Sequence, residues 1–220
     1  MLLAIDTATR LAGVALYDET NGWVLGEEMW YSSENHTVEL MPRLVRLMEQ
    51  QKMSPASLSG LVVSLGPGSF TGLRIGLGVA KGLALARRLP LVGVPTLEVT
   101  IQPHTAQPLP IWAILQAGRG RICAGYYLRR RGIWRQQGPH QLTTLEELCA
   151  QVREPALFCG EIGSQEADLI RRRLGLTAVI ATPAASLRRA AFLAELGWER
   201  LKRGDADNPA TLSPVYLHNP

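Results

Sequence analysis

Gly66-Pro67-Gly68-Ser69-Phe70-Thr71-Gly72-Leu73-Arg74 is the stretch on which the fold turns. Just ahead of it, residues 61–65 are a short apolar run of strand character. Behind it a helical pattern continues to about residue 88, and a further apolar run occupies residues 91–94. A glycine-rich strand-to-helix turn followed by another strand is the βαβ arrangement of a parallel pair, closed by a right-handed crossover. Working back from this unit, residues 2–7 and 13–17 read as strands around a short polar turn. Asn21-Gly22 signals a hairpin, and residues 23–31 form its return strand. Residues 35–52 carry apolar side chains over about half a helical cylinder, with Pro42 expected to kink the helix or mark its start. The order is three hairpin strands, helix, strand, helix, strand: a mixed sheet with helices on its faces.

Three prolines between residues 102 and 110 mark a linker, after which the pattern restarts. Strands are expected at 111–115, 122–128, 132–134, 157–159 and 178–180, with helices at 144–153 and 165–174. This second lobe is a degraded echo of the first. The expected organisation is a first lobe over 1–102, a linker at 103–110, a smaller lobe over 111–185, and a C-terminal helix (186–203) with an extended tail to 220 that packs back toward the first lobe. Two related lobes of this kind define an α/β fold of the actin-like ATPase (ASKHA) superfold, a statement about architecture and not about chemistry.

A chain of 220 residues with 46% hydrophobic and 19% charged residues is long and apolar enough for a sizeable core, which excludes a disordered chain. No apolar run is long enough to span a membrane, and the first residues lack the basic segment of a secretory signal. Cys123, Cys149 and Cys159 show no CxxC spacing. That pattern points to free thiols in a reducing, cytoplasmic setting and away from zinc. His36, His104, His140 and His218 form no metal-binding pair, so no metal site is expected. Residues 1–110 carry 8 basic and 9 acidic side chains, and residues 111–220 carry 15 and 10. Lys52, Lys81 and Lys202 are the lysines, and arginine supplies the remaining basic residues, which fits anionic partners and a GC-rich genome equally well.

The candidate chemistry starts at the glycine turn. Amides at a helix N-terminus can hold an anion, so Gly66, Gly68, Ser69, Thr71, Gly72 and Arg74 are candidate nucleotide or anion contacts. No Walker A lysine follows, and the alternative is a tight turn that lets helix and sheet approach. Asp6, at the end of the first strand, either orients a metal-bound water or simply forms the turn. Gly72, Gly76, Gly78 and Gly82 each cost roughly 1 kcal/mol in helix propensity against Ala. Close approach by neighbouring elements would offset that cost. Arg74, Lys81 and Arg88, seven residues apart, read as a basic helix edge. The half-apolar helix 35–52 either has a second packing partner or lies deep in its own domain. The arginine clusters 129–131 and 171–173 read mainly as solvated faces, because no stacking motif accompanies them.

Several of these segments together resemble the TsaB (YeaZ) family. They are Ala4-Ile5-Asp6-Thr7-Ala8-Thr9, His36 with Leu40-Met41-Pro42, the string from Ser64 to Gly76, Lys81-Gly82-Leu83-Ala84, Val92-Gly93-Val94-Pro95-Thr96-Leu97-Glu98 and the closing Pro214-Val215-Tyr216-Leu217. The match is dense over residues 1–100 and sparse beyond. The resemblance implies a non-catalytic subunit that works with TsaD and TsaE to place threonylcarbamoyl on adenosine 37 of tRNAs reading codons that start with A. TsaD-like paralogues carry two metal-binding histidines where this chain has Thr96 and Thr100. Hydroxyls are poor transition-metal ligands beside imidazole.

The resemblance further implies a heterodimer with TsaD through the two first-lobe helices. His36, Leu40, Met41, Leu44, Val45, Met48, Gly72, Ile75, Gly76 and Val79 are the expected interface, with Leu44 taken to face the partner. It implies a homodimer when TsaD is absent, no cofactor of the chain's own, an adenine nucleotide at the shared interface, and only indirect or weak contact with tRNA. Two departures stand out. Gln116-Ala117-Gly118-Arg119-Gly120-Arg121 replaces the acids many members carry there, and His218 replaces the arginine of the closing motif. The alternatives are an actin-fold small-molecule kinase or ATPase that uses Asp6 and the glycine turn, and a peptidase of the glycoprotease type.

Overall fold

The computed structural model describes residues 1–33 and 35–216, so Leu217 and His218 of the closing motif lie outside the described residues. Two compact units emerge. Met1–Val99 and Arg189–Tyr216 form the first, and Thr100–Arg188 forms the second.

In the first unit the strands are β1 (Leu2–Asp6), β2 (Leu11–Asp18), β3 (Trp23–Tyr31), β4 (Gly60–Gly66) and β5 (Leu91–Pro95). They form a five-stranded sheet in the order β3-β2-β1-β4-β5. β1, β2 and β3 pair antiparallel, while β4 lies parallel to β1 and to β5, as right-handed crossovers require. Every β1 side chain is buried, because helices cover both faces of the sheet. On one face α1 (His36–Gln50) and α2 (Phe70–Arg87) bury Leu40, Leu44, Leu47, Met48, Leu77, Ala80 and Ala84 against Leu3, Ile5, Val14, Leu16 and Val63. On the other, α6 (Ala190–Leu201) packs Ala190, Leu193 and Ala194 onto Leu2, Ala4, Ala15 and Val62. Burying one such leucine contributes about 1.5–3 kcal/mol.

The second unit repeats this plan. β6 (Ile111–Gly118), β7 (Arg121–Arg130), β8 (Ile133–Gln136), β10 (Ala156–Gly160) and β11 (Ala178–Ile180) form the order β11-β10-β6-β7-β8. The short β9 (Gln141–Thr143) pairs with β7. α4 (Leu145–Gln151), opened by a reciprocal capping box between Thr144 and Glu147, and α5 (Ser164–Leu174) cover one face. The echo of the first lobe is therefore strand for strand: β6 stands where β1 does, and β10 where β4 does.

Three expectations need correction. Pro42 does not mark the start of α1, which begins at His36. It lies inside the helix on the exposed side, where its ring removes one i→i−4 hydrogen bond. The linker begins later than its prolines suggest, because α3 (Thr96–Ile101) and a 3-10 turn at Gln102–His104 precede it. The last helix does not start at 186: Arg189 is extended, and its guanidinium reaches Glu27 on β3 at 2.6–2.8 Å. The Gln116–Arg121 segment is a hairpin with Arg119-Gly120 at its tip, both at positive φ (54° and 70°) as a two-residue hairpin turn demands.

Candidate functional site

The expected site residues converge on the pole of the first sheet where β1, α1 and α2 meet. Asp6 is buried there. One carboxylate oxygen accepts from the Ala8 amide at 2.9 Å and from the Ser64 hydroxyl at 2.8 Å. Thr7 Oγ1 donates to the Gly72 carbonyl at 2.7 Å, and the Ser69 amide donates to the Ala8 carbonyl at 2.6 Å. Ser69 caps α2 by accepting from the Gly72 amide at 3.2 Å. A Cβ on Gly68 would lie 2.2 Å from the Ala8 carbonyl oxygen, and one on Gly72 would lie 2.2 Å from that of Thr7. The glycines thus let the α2 turn lie directly on the β1–β2 corner.

His36 completes the pole. It is the first residue of α1 and is buried. It hydrogen-bonds the Thr9 backbone, and its Nδ1 has no partner. Its ring lies 3.3–3.4 Å from the position of a Gly72 Cβ. Burial holds this imidazole, like those of His104 and His140, below the usual histidine range. Each binds a proton less well folded than unfolded. The unfolded chain therefore takes up more protons as pH falls through the ordinary histidine value of 6.5, and stability falls with it. The melting temperature should drop between about pH 7.5 and about pH 5.5, and His36→Asn should flatten part of that slope. A melting temperature constant over this window would contradict the assignment.

Beside the pole lies a contact with the far end of the chain. Val215 donates its amide to the Leu65 carbonyl at 2.8 Å, and Arg74 Nε donates to the Tyr216 hydroxyl at 2.9 Å. The Arg74 guanidinium lies 3.7 Å from the centre of the Phe70 ring, which is 5.0 Å from that of Tyr216. Arg74 therefore serves the tail and not a basic ridge. Phe70 and Tyr216 carried no sequence signal for this role, because 142 residues separate Arg74 from Tyr216.

The outer surface of α1 and α2 corrects the expected interface. Leu40, Leu44 and Met48 point into the sheet and belong to the core. His36, Gly72 and Gly76 are buried at the pole, and Ile75 and Val79 are half-buried against the core. Of that set Met41 and Val45 are exposed, at 42% and 44%. The structure adds Val38 at 69% and Leu85 at 63%. It also adds Gly78 and Gly82, where a Cβ would meet nothing within 4 Å. The helices touch on the same face of the sheet, and these positions lie on their solvent-exposed sides.

Among the described residues no group of three or more His, Cys, Asp or Glu is placed to hold a metal, and Thr96 and Thr100 are buried on α3. Burial pushes the Cys123 thiol up to about 12 and raises Cys149 and Cys159 as well, which leaves all three protonated and unreactive. Among the described residues no helix is long and apolar enough to cross a membrane.

Paired lobes of this strand order, with a glycine turn at the pole of the first, define a protein of the actin-like ATPase fold. Solved structures agree: an ethanolamine utilization protein EutJ from Carboxydothermus hydrogenoformans superposes over 87% of this chain and 88% of its own, with a TM-score of 0.51 and 11% identity. Much nearer is a Pseudomonas aeruginosa protein described as similar to peptidase YeaZ. Its TM-score is 0.80 at 26% identity, with 99% of both chains covered. In sequence, a Bacillus subtilis tRNA threonylcarbamoyladenosine biosynthesis protein TsaB is 35% identical over 98% of this chain and 93% of its own length. The Escherichia coli TsaB is also 35% identical, over 60% of this chain and 58% of its own. The family model described as TsaD, tRNA N6-adenosine threonylcarbamoyltransferase, matches residues 30–156. The chain belongs to the TsaB (YeaZ) family.

Proposed function

We propose that this chain is the non-catalytic subunit of a complex that forms threonylcarbamoyladenosine in tRNA, and that it acts by binding and activating a TsaD-type catalytic subunit alongside a TsaE-type ATPase. Family membership supports the pathway. The observation that carries the subunit role is the outward face of α1 and α2. Val38, Met41 and Val45 expose apolar surface at helical spacing, beside two α2 glycines that leave room for a helix to approach. A stable interface of standard size buries about 1,600 Å², and this face supplies the apolar centre such an interface needs. Gly78 and Gly82 weaken α2 in the lone chain by roughly 1 kcal/mol each, and a partner helix seated on them offsets that loss. When TsaD is absent, a second copy of the chain takes its place on the same face. An adenine nucleotide, where one is used, belongs to the joint with the partner.

The deciding experiment is tRNA threonylcarbamoylation by TsaD-type and TsaE-type proteins with and without this chain. Product should form only when the chain is present, and the isolated chain should turn over neither Mg-ATP nor tRNA. Equal modification in its absence, or turnover by the chain alone, overturns the reading.

A further inference from the structure

The charge of the molecule is segregated: residues 100–188 hold eleven arginines against six carboxylates. The two exposed arginine clusters in this unit differ in setting. Arg171–Arg173 sit in the last turn of α5, beside β11 at one edge of the second sheet. Arg129, Arg130, Arg131 and Arg135 sit on the β7–β8 hairpin at the opposite edge, and no ion pair among the described residues involves any of the four.

The register sorts the hairpin by face. Leu128 opposes Arg135, and Arg130 opposes Ile133. Side chains two apart on a strand share a face, so Tyr126, Leu128 and Arg130 line up with Ile133 and Arg135. A cavity of about 370 Å³ is lined by Trp112 and Tyr126 of the sheet and by residues 151–154 at the end of α4. The two aromatic side chains are stacked on each other with ring centres 4.6 Å apart. Gln137, Gln141, Gln151 and Glu154 wall it. The Tyr126 hydroxyl donates to Glu154 at 2.6 Å, and burial with this carboxylate pushes the phenol up to about 12, which keeps it a donor. Arg153 stands at the rim, bonded to the Ala150 and Val152 carbonyls.

A lining of aromatic rings, amides and a carboxylate suits a planar ring edged with hydrogen-bond donors and acceptors. Arg135 and Arg130 lie on the same face about 7 Å and about 13 Å along the strand from Tyr126, the order of one and two nucleotide steps. We propose that the second lobe binds single-stranded RNA, one base entering the Trp112–Tyr126 cavity while Arg135 and Arg130 take the neighbouring phosphates. Arginine forks suit phosphate, and base stacking on an aromatic platform needs no particular sequence.

The assignment is independent of the α1–α2 face, so partner docking and RNA binding can fail separately. The test is fluorescence anisotropy of the full chain with a labelled single-stranded RNA of about 12 nucleotides across a salt series. Wild-type affinity should fall with salt. Arg130→Gln/Arg135→Gln should lose roughly tenfold at low salt and flatten the log–log salt slope by about 0.7 per arginine. Tyr126→Leu should lose about tenfold with the salt slope unchanged. Arg171→Gln/Arg172→Gln, with the same loss of charge at the other sheet edge, should bind as wild type does. Adenosine monophosphate should compete only far above the RNA concentration. The proposal falls if wild type does not bind RNA, if the α5 pair costs as much as the hairpin pair, or if the mononucleotide binds as tightly as the RNA. The exposed arginine pair perturbs no packing, so its salt slope decides the matter even if Tyr126→Leu loosens the lobe.

Discussion

Val45→Glu should abolish co-purification with the TsaD-type subunit while the chain stays folded, and Leu44→Glu, one residue earlier, should do the reverse and unfold it. Adjacent helix positions differ by about 100°, and here that angle separates solvent from core. Leu44 is 3% exposed among Leu40, Leu47, Leu3 and Ile5. A carboxylate there would be buried without a partner, which costs several kcal/mol and removes a large share of the stability of a domain. A melting temperature lower by more than about 10 °C is expected. Val45 is 44% exposed, and Glu is the better helix former, so the lone chain should melt within about 2 °C of wild type. In the complex the same carboxylate would be sealed in an apolar centre. A loss of about 4 kcal/mol there weakens the dissociation constant by roughly a thousandfold. Circular dichroism melts and pull-down of both variants check the pair. Wild-type binding by Val45→Glu removes this face as the docking surface. A folded Leu44→Glu that fails to bind would return the surface to the side of the helix named from sequence.

The contrast also shows where the sequence stops. The half-cylinder of apolar residues over 35–52 announced α1 and left open a second packing partner or a deep position in its own domain, but periodicity does not say which half meets the chain's own sheet. Leu40, Leu44, Leu47 and Met48 won because their row meets Leu3, Ile5 and Val14. The first sheet was legible strand by strand, since its apolar runs are bounded by Asn-Gly and glycine turns. α3 was not: Thr96-Leu97-Glu98-Val99-Thr100-Ile101 alternates with β-branched residues, as a strand would. It is helical, and that conformation buries Thr96 and Thr100 together with Leu97, Val99 and Ile101, which a single strand face would not do. Residues 186–189 have ordinary helix propensity, yet Arg188 is buried and Arg189 turns outward to Glu27, so α6 begins after them. At the site, the glycine string declared a strand-to-helix turn and left open what the glycines admit. The answer, carbonyls of the β1–β2 corner about sixty residues away in sequence, depends on contacts that no local pattern encodes.

Gly72→Ala and Gly78→Ala should move stability in opposite directions although both glycines lie in α2. In propensity alone either change favours the helix by up to about 1 kcal/mol. At Gly72 the new methyl would sit 2.2 Å from the Thr7 carbonyl oxygen and 3.3 Å from the His36 ring, both fixed parts of the pole. The α2 turn would have to retreat. Retreat breaks the Thr7 hydroxyl bond to Gly72 and the Ser69 amide bond to Ala8. Overpacking costs about 1–3 kcal/mol, and each buried polar group left without its partner adds about 1–3 more. These outweigh the propensity gain, so Gly72→Ala should lower the melting temperature by about 10 °C. At Gly78 the methyl meets nothing within 4 Å, so the lone chain should gain up to about 1 kcal/mol. That gain should come with weaker partner binding, because the added group fills the space a partner helix needs, and Gly82→Ala should behave the same way. Thermal melts of the lone chain and titration with the TsaD-type subunit read the two effects separately. A Gly72→Ala chain as stable as wild type would show that the pole tolerates a side chain. A Gly78→Ala/Gly82→Ala chain that is more stable and binds the partner undiminished would show that the glycines of α2 are not there for docking.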